Sequence, residues 1–270
     1  MNELAPQARL KRSPRLVGWL LVPLILLGVI GAWFAFDPGF RSRHSGARVA
    51  VDMPKDEFER RVRAFLLDHP EVVVEAINRL EARQGAQEAT EAQAVLKSRA
   101  DEVFRDPDSP VGGNPDGDVT LVEFFDYNCP YCRQVAPLML EAEAADPKLR
   151  LVFKEFPILG ANSTFAAKIA LAAHKQGKYL ALHHALMKVR GTVDEAKVLE
   201  AATAAGLDVD RLKAEAEAPA IQAMLERNLD LARALRINGT PGFAIGDKVF
   251  TGATDLKGLQ ALIGEARNGQ

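Results

Sequence analysis

Cysteine is scarce, with two in 270 residues. That excludes a scaffold stapled by several disulfides, because two thiols close one bridge at most. A charge excess is lacking as well: 34 Lys and Arg against 36 Asp and Glu leave a formal net charge of -2. The balance conceals a split, since residues 1–50 carry seven basic and two acidic side chains while the other 220 carry 27 and 34. An acidic main body argues against nucleic acid as a partner. There is no second cysteine pair, and the histidines stand apart at His44, His69, His174, His183 and His184. A structural zinc site, which needs four ligands, therefore has no ligand set. An apolar share of 48% is enough for a packed core and excludes disorder throughout.

One long hydrophobic run is present. From Leu16 to Phe36 there are 21 consecutive uncharged residues, and a helix of that length spans roughly 30 Å, the hydrocarbon thickness of a bilayer. Trp19 and Trp33 fall near its ends, where amphipathic rings favour the interface. Pro23 is tolerated in a membrane span. A cleaved signal peptide is the alternative, but Trp33 and Phe34 occupy positions where a small-residue cleavage site is wanted. Arg9, Lys11, Arg12 and Arg15 precede the span, and Arg41, Arg43 and Arg48 follow it. The positive-inside rule then expects a cytoplasmic tail (1–15), a single-pass anchor (16–36) and a linker (37–53).

Beyond the linker, Phe58, Val62, Phe65 and Leu66 recur at helical spacing up to Pro70, and Val73, Ile77 and Leu80 form a second stripe. Residues 82–93 are helix-prone yet nearly bare of large apolar groups, with Gly85 as a weak point. The stretch 54–105 is expected to be a helical stalk. Its segment 54–81 either joins copies of the chain or packs on the main domain, and an amphipathic stripe does not name its partner. Residues 107–118 read as turns, Val119–Phe125 as a strand, Pro130 to about Ala145 as a helix and Arg150–Ile158 as a second strand. A helical block follows from Ser163 to Arg236, with breaks near Gly177, Gly191 and Gly206. Phe243–Gly252 reads as a hairpin turning at Gly246-Asp247, and Asp255–Ala266 as a last helix. The fold class is an α/β sandwich over 106–270 with a helical insertion at about 163–236.

Both cysteines fall in one motif, Cys129-Pro130-Tyr131-Cys132, at the strand-to-helix junction. Cys129 is expected at the N-cap and Pro130 at the first helical position. There an exposed Cys129 thiol would face free backbone N–H groups and the positive end of the helix dipole, which favours its thiolate. Cys132, one turn on, is placed to attack a mixed disulfide on Cys129. A structural disulfide across so short a loop would stabilise little. Two inert buried thiols are the other bland reading.

The run Glu123–Cys132, EFFDYNCPYC, resembles the active-site segment of thioredoxin-fold oxidoreductases, and in particular the DsbA-like family of bacterial envelopes. The resemblance implies a redox-active disulfide between Cys129 and Cys132, no cofactor, and a cis-proline loop facing the pair. Gly239-Thr240-Pro241-Gly242-Phe243 stands where that loop belongs, so Thr240, Pro241, Pro130 and Tyr131 are the expected substrate contacts. Glutaredoxins share C-P-Y-C, but 108 residues separate Cys132 from Pro241 here, room for a DsbA-type insertion. Glu123 lies where this fold often keeps a buried acid; sharing a strand face with Leu121 and Phe125, it would be raised in pKa and could shuttle a proton for Cys132. Phe58–Gln84, with Lys154–Gly160 (KEFPILG), resembles the suppressor-of-copper-sensitivity C (ScsC) branch.

The resemblance implies an envelope thiol–disulfide oxidoreductase acting on protein substrates and recycled by a membrane redox partner. The catalytic domain is then expected in the periplasm, anchored to the inner membrane or released. Thr240 and the stalk favour isomerase action. The alternative is a copper-tolerance protein holding Cu(I) on the same two thiolates.

Overall fold

The computed structural model describes residues 53–269. The expected tail, membrane anchor and nearly all of the linker lie outside the described residues. Among those described, no helix is long and apolar enough to cross a membrane. Contacts divide the chain into two compact units, at Pro70.

In the first unit, helix α1 (Lys55–Asp68) opens with Asp56 and Glu57, acids that suit the positive end of the helix dipole. Glu57 also accepts from Arg61, one turn on. The helix stops at Asp68, two residues before Pro70, whose ring disfavours helical geometry in the residue ahead of it. No α1 residue is buried, and Phe58, Val62 and Phe65 are all exposed.

The second unit begins with α2 (Glu71–Ser98). The helix runs through Gly85 without a break, unlike the weak point expected there. Its neighbours are good helix formers, and the Gln87–Glu91 and Thr90–Ala86 bonds support the following turn. Val73, Val74, Ile77 and Leu80 are exposed, whereas Ala92 and Leu96 are buried. A short helix, α3 (Ala100–Phe104), then buries Val103.

The five-stranded sheet comprises β1 (Val111–Gly113), β2 (Val119–Phe125), β3 (Leu149–Glu155), β4 (Gly242–Ile245) and β5 (Lys248–Thr251), in the spatial order β1-β3-β2-β4-β5. Strands β2 and β3 are parallel and every other pair is antiparallel. Strand β1 was not legible in the sequence. Its three residues follow Pro110 in a Gly-rich turn region, and they become a strand only by pairing with Arg150–Val152 of β3. Side chains alternate across β2 and β3. Leu121, Phe125, Leu151 and Phe153 enter one core layer, and Val122, Phe124 and Val152 enter the other. The first layer lies beneath α4 (Pro130–Ala145), the insertion and the final helix α10 (Leu256–Asn268). The second layer receives Leu96, Val103 and the end of α9 (Pro219–Ala234).

The insertion consists of α5 (Ala161–Lys175), α6 (Tyr179–Met187), α7 (Glu195–Ala204), α8 (Val209–Ala216) and α9. Gly177, Gly191 and Gly206, the expected break points, all adopt positive φ. Asp194, Asp208 and Asp255 cap α7, α8 and α10 by accepting a backbone N–H. The β4–β5 hairpin turns at Gly246, φ 56°, as expected.

The start of β4 fixes one glycine by contact. A Cβ on Gly242 would collide with the Ile237 side chain, while one on Gly239 would meet nothing within 4 Å. Gly242→Ala should therefore lower the thermal midpoint by roughly 5 °C or more, as expected for overpacking a core position. Gly239→Ala should lie within about 1 °C of wild type. Equal midpoints for the two variants would contradict this packing.

Candidate active site

Strand β2 delivers the chain to the redox motif through a tight Asp126 turn. The Asp126 carbonyl accepts the Cys129 N–H at 3.0 Å, and its carboxylate accepts the Asn128 N–H at 2.7 Å. Helix α4 begins at Pro130 with Cys129 as its N-cap. Pro lacks an N–H and fits the first turn, so the remaining free N–H groups face the Cys129 end. Across from it, the Thr240-Pro241 peptide bond is cis, and Cys129 Sγ donates to the Thr240 carbonyl at 3.1 Å. The sequence placed the Cys129 thiol in the open. In the structure this residue is only 4% exposed, because the Thr240 loop covers it. Both cysteines are free thiols.

Cys132 is fully buried. Burial pushes its thiol well up from the ordinary range, and the Glu123 charge adds to the effect. Glu123 stands opposite Phe153 and Phe243 in the sheet, on the face shared by Leu121 and Phe125. It is 1% exposed, and its Oε1 has no hydrogen-bond partner. Burial raises its pKa to about 8. The expected buried acid is thus in place beside Cys132. Pro130 and Tyr131 are exposed at the helix start between the two cysteines, while Pro241 is buried and Thr240, whose carbonyl meets Cys129, is half-buried.

Sequence reasoning missed a second buried acid. Glu155, at the end of β3, accepts from the Tyr127 hydroxyl at 2.9 Å and the Tyr179 hydroxyl at 2.7 Å. The Tyr127 hydroxyl also lies 3.2 Å from His183 Nδ1. Burial raises Glu155 well above the carboxylate range and lowers His183 to about 3. This cluster ties α6 of the insertion to the turn that carries Cys129. Its only sequence signal was a Glu within a strand pattern, with partners 24 and 28 residues away. Among the described residues no cluster of three or more His, Cys, Asp or Glu could hold a metal ion.

A thiol pair at a helix start, facing a cis-proline loop with a buried acid beneath, is an arrangement that can carry thiol–disulfide exchange. The profile of the DSBA-like thioredoxin domain matches residues 120–264, and that of the copper resistance protein ScsC N-terminal domain matches residues 55–87. The chain belongs to the DSBA-like thioredoxin family, a family of thiol–disulfide oxidoreductases, and its relatives include ScsC.

A thioredoxin-like oxidoreductase from Silicibacter pomeroyi DSS-3 is 48% identical and superposes with a TM-score of 0.61, over 62% of this chain and 97% of that one. The catalytic domain of Proteus mirabilis ScsC is 31% identical with a TM-score of 0.61, over 65% and 98%. Among curated sequences, a Na(+)/H(+) antiporter NhaA 1 from Salinispora arenicola is 29% identical over 164 residues, covering 60% of this chain. The chain spans about a quarter of the length of that relative.

The Glu123 carboxyl is neutral in the fold up to about pH 8 but ionises near 4.5 in the unfolded chain. Its stabilising contribution is therefore complete below about pH 4.5 and is lost as the pH rises through 8. Glu123→Gln removes that loss. The reduced variant should match wild type in thermal midpoint at pH 4.5 and exceed it by roughly 10 °C at pH 9. Parallel midpoint curves across that range would rule out a buried, protonated Glu123.

Proposed function

We propose that this protein catalyses thiol–disulfide exchange on protein substrates in the bacterial envelope. The observation that carries the reading is the geometry at Cys129. Its sulfur sits at a helix N-cap, 3.1 Å from the Thr240 carbonyl, with a second, fully buried thiol one turn further in.

In this reading Cys129 attacks a substrate disulfide as its thiolate. A bond forms from Cys129 Sγ to one substrate sulfur, and the other leaves as a thiolate. Cys132 then attacks Cys129 Sγ, which releases the substrate thiol and closes the Cys129–Cys132 disulfide. The Cys132 proton passes to ionised Glu123, which amounts to about a tenth of the molecules at pH 7 for a pKa near 8. Run in reverse, the same steps oxidise a substrate. Thr240 and Pro241 hold the substrate backbone, and Pro130 and Tyr131 border it. A membrane redox partner returns the pair to its working state, and residues 16–36 anchor the chain in the inner membrane with this domain in the periplasm.

Isomerisation is the favoured direction. An isomerase needs reduced Cys129 and gains from several domains acting on one misfolded chain. Exposed apolar side chains on α1 and α2, Phe58, Phe65, Ile77 and Leu80, support association of copies through residues 54–81. Reduced protein should restore activity to a scrambled, multiply disulfide-bonded substrate at least about tenfold faster than a Cys129→Ala control, since the nucleophile is lost. Recovery no faster than that control would sink isomerase action. Cys132→Ala should accumulate mixed disulfides on Cys129 that Cys129→Ala cannot form.

The match to the copper resistance protein ScsC N-terminal domain supports a second reading, Cu(I) held on the two thiolates. Titration of reduced protein with Cu(I) should then saturate at about one equivalent and lose that step in a Cys129→Ala/Cys132→Ala variant. Unchanged stoichiometry in the variant would exclude this site.

A further inference from the structure

Asn128 and Arg133 stand directly before and directly after the Cys129–Cys132 motif, and their side chains reach the same loop of the insertion. Asn128 Nδ2 donates to the Val193 carbonyl at 3.2 Å and to Ser163 Oγ at 3.1 Å, and its Oδ1 accepts the Val193 N–H at 2.8 Å. From the other end of the motif, Arg133 Nη1 donates to the Val189 and Gly191 carbonyls, at 3.2 and 2.7 Å. Its Nε closes the bracket on the near side by donating to the Tyr127 carbonyl at 2.8 Å.

The receiving loop, residues 189–193 between α6 and α7, is arranged for this contact. Its carbonyls alternate. Those of Val189, Gly191 and Val193 take the two neighbours of the motif, while those of Arg190 and Thr192 accept Lys197 Nζ at 3.2 and 2.8 Å. Five successive carbonyls are thus satisfied by three side chains, where such groups more often pair with other backbone. Val193 is fully buried, and Gly191 stands at φ 76°, a conformation glycine adopts at no steric cost.

The bracket bears most on the second attack, by Cys132. In the reduced pair, Cys129 Sγ donates to the Thr240 carbonyl, and the two thiols lie within hydrogen-bond reach of each other. Once a substrate sulfur is attached, Cys129 has no thiol proton to donate, and its bond to Thr240 is lost. What then holds its sulfur before Cys132 is the main chain. The Cys129 N–H stays on the Asp126 carbonyl, and the residues on either side of the motif stay gripped by the insertion loop. Intramolecular attack depends steeply on such alignment, and a misplacement of about 1 Å can cost about a hundredfold in rate.

We infer that Asn128 and Arg133 are positioning residues for this second attack, holding the motif against loop 189–193 so that Cys132 stays in line with a substrate-bound Cys129 Sγ. The inference rests on the thiol-exchange reading and gives the helical insertion a part in it. The chemistry is the one already described. Cys132 attacks as its thiolate, the bond from Cys129 Sγ to the substrate sulfur breaks, and the substrate leaves as a thiolate that takes up a proton. No co-reactant is added beyond the substrate disulfide.

The test separates the two attacks in single turnovers of the reduced protein with a peptide whose one cysteine carries a 2-pyridyl disulfide. Attack by Cys129 releases thiopyridone, which is followed by absorbance. Attack by Cys132 releases the peptide, which is followed by the mass of acid-quenched protein. Asn128→Ala removes three hydrogen bonds, and Arg133→Lys keeps the charge but loses the planar fork that spans three carbonyls. In each variant the rate of the second attack relative to the first should fall at least about tenfold from wild type, so that the mixed disulfide accumulates. A purely structural loss would lower the folded fraction and slow both attacks together, leaving the ratio where it was. Asn128→Ala strands the buried Val193 N–H, so should it lose its wild-type thermal midpoint the decision rests on Arg133→Lys. A wild-type ratio in Arg133→Lys, or in a stable Asn128→Ala, would overturn the positioning role while leaving thiol exchange intact. Wild type releasing thiopyridone no faster than Cys129→Ala would overturn the exchange reading, and the inference with it.

Discussion

A carboxyl group without a hydrogen-bond partner on Oε1, buried in the centre of a sheet, is the constraint on which the rest of this structure turns. Strand β2 alternates so that Glu123 must share a face with Leu121 and Phe125, and that face is covered by the helix bearing both cysteines. Moving a carboxylate into such a place is costly, and the group responds by keeping its proton. The same burial keeps Cys132 in its thiol form. Both groups resist ionisation, and in the proposed exchange it is the ionised fraction of Glu123 that would take the Cys132 proton. Cys129, at the mouth of the site, is positioned by main-chain groups of Asp126 and Thr240.

Three ionisable side chains are fully buried in β2 and β3, and each is accommodated differently. Lys154 faces the opposite layer from Glu155 and pairs with Asp106 at 2.8 Å, with a further bond to the Glu102 carbonyl. Glu155 takes two tyrosine hydroxyls. Glu123 leaves an oxygen unmatched. Glu155 likewise leaves its Oε2 without a partner, so each of the two buried acids keeps one oxygen unmatched. Glu123 is set apart by its place beside Cys132, whereas the tyrosine–glutamate cluster fastens the helical insertion to the turn before Cys129.

Much of this was legible in the sequence because it depends on local rules. The CxxC spacing, Pro130 at the first helical position, the three glycines that end insertion helices and the Gly246 turn each follow from conformational preferences within a few residues. The burial of Glu123 followed from the period of one strand. The rest needed the tertiary structure. Strand β1 exists only against β3, and Cys129 is covered by a loop 111 residues further along. The partners of Glu155 belong to the redox turn and to α6, and no periodicity links them. Asp126 read as a turn residue, and only the fold shows its carboxylate joining the redox turn to the Ile158–Leu159 loop.

The most direct measurement is infrared difference spectroscopy of the carboxyl C=O stretch, comparing reduced wild type with Glu123→Gln between pH 5 and pH 10. The variant subtracts every other acid, Glu155 included. A protonated-carboxyl band that is present at pH 6, absent from the variant and bleached with a midpoint near 8 is the predicted result. A difference spectrum with no such band at pH 6 would mean that Glu123 is already ionised, and the account of a carboxyl held protonated by burial would fail.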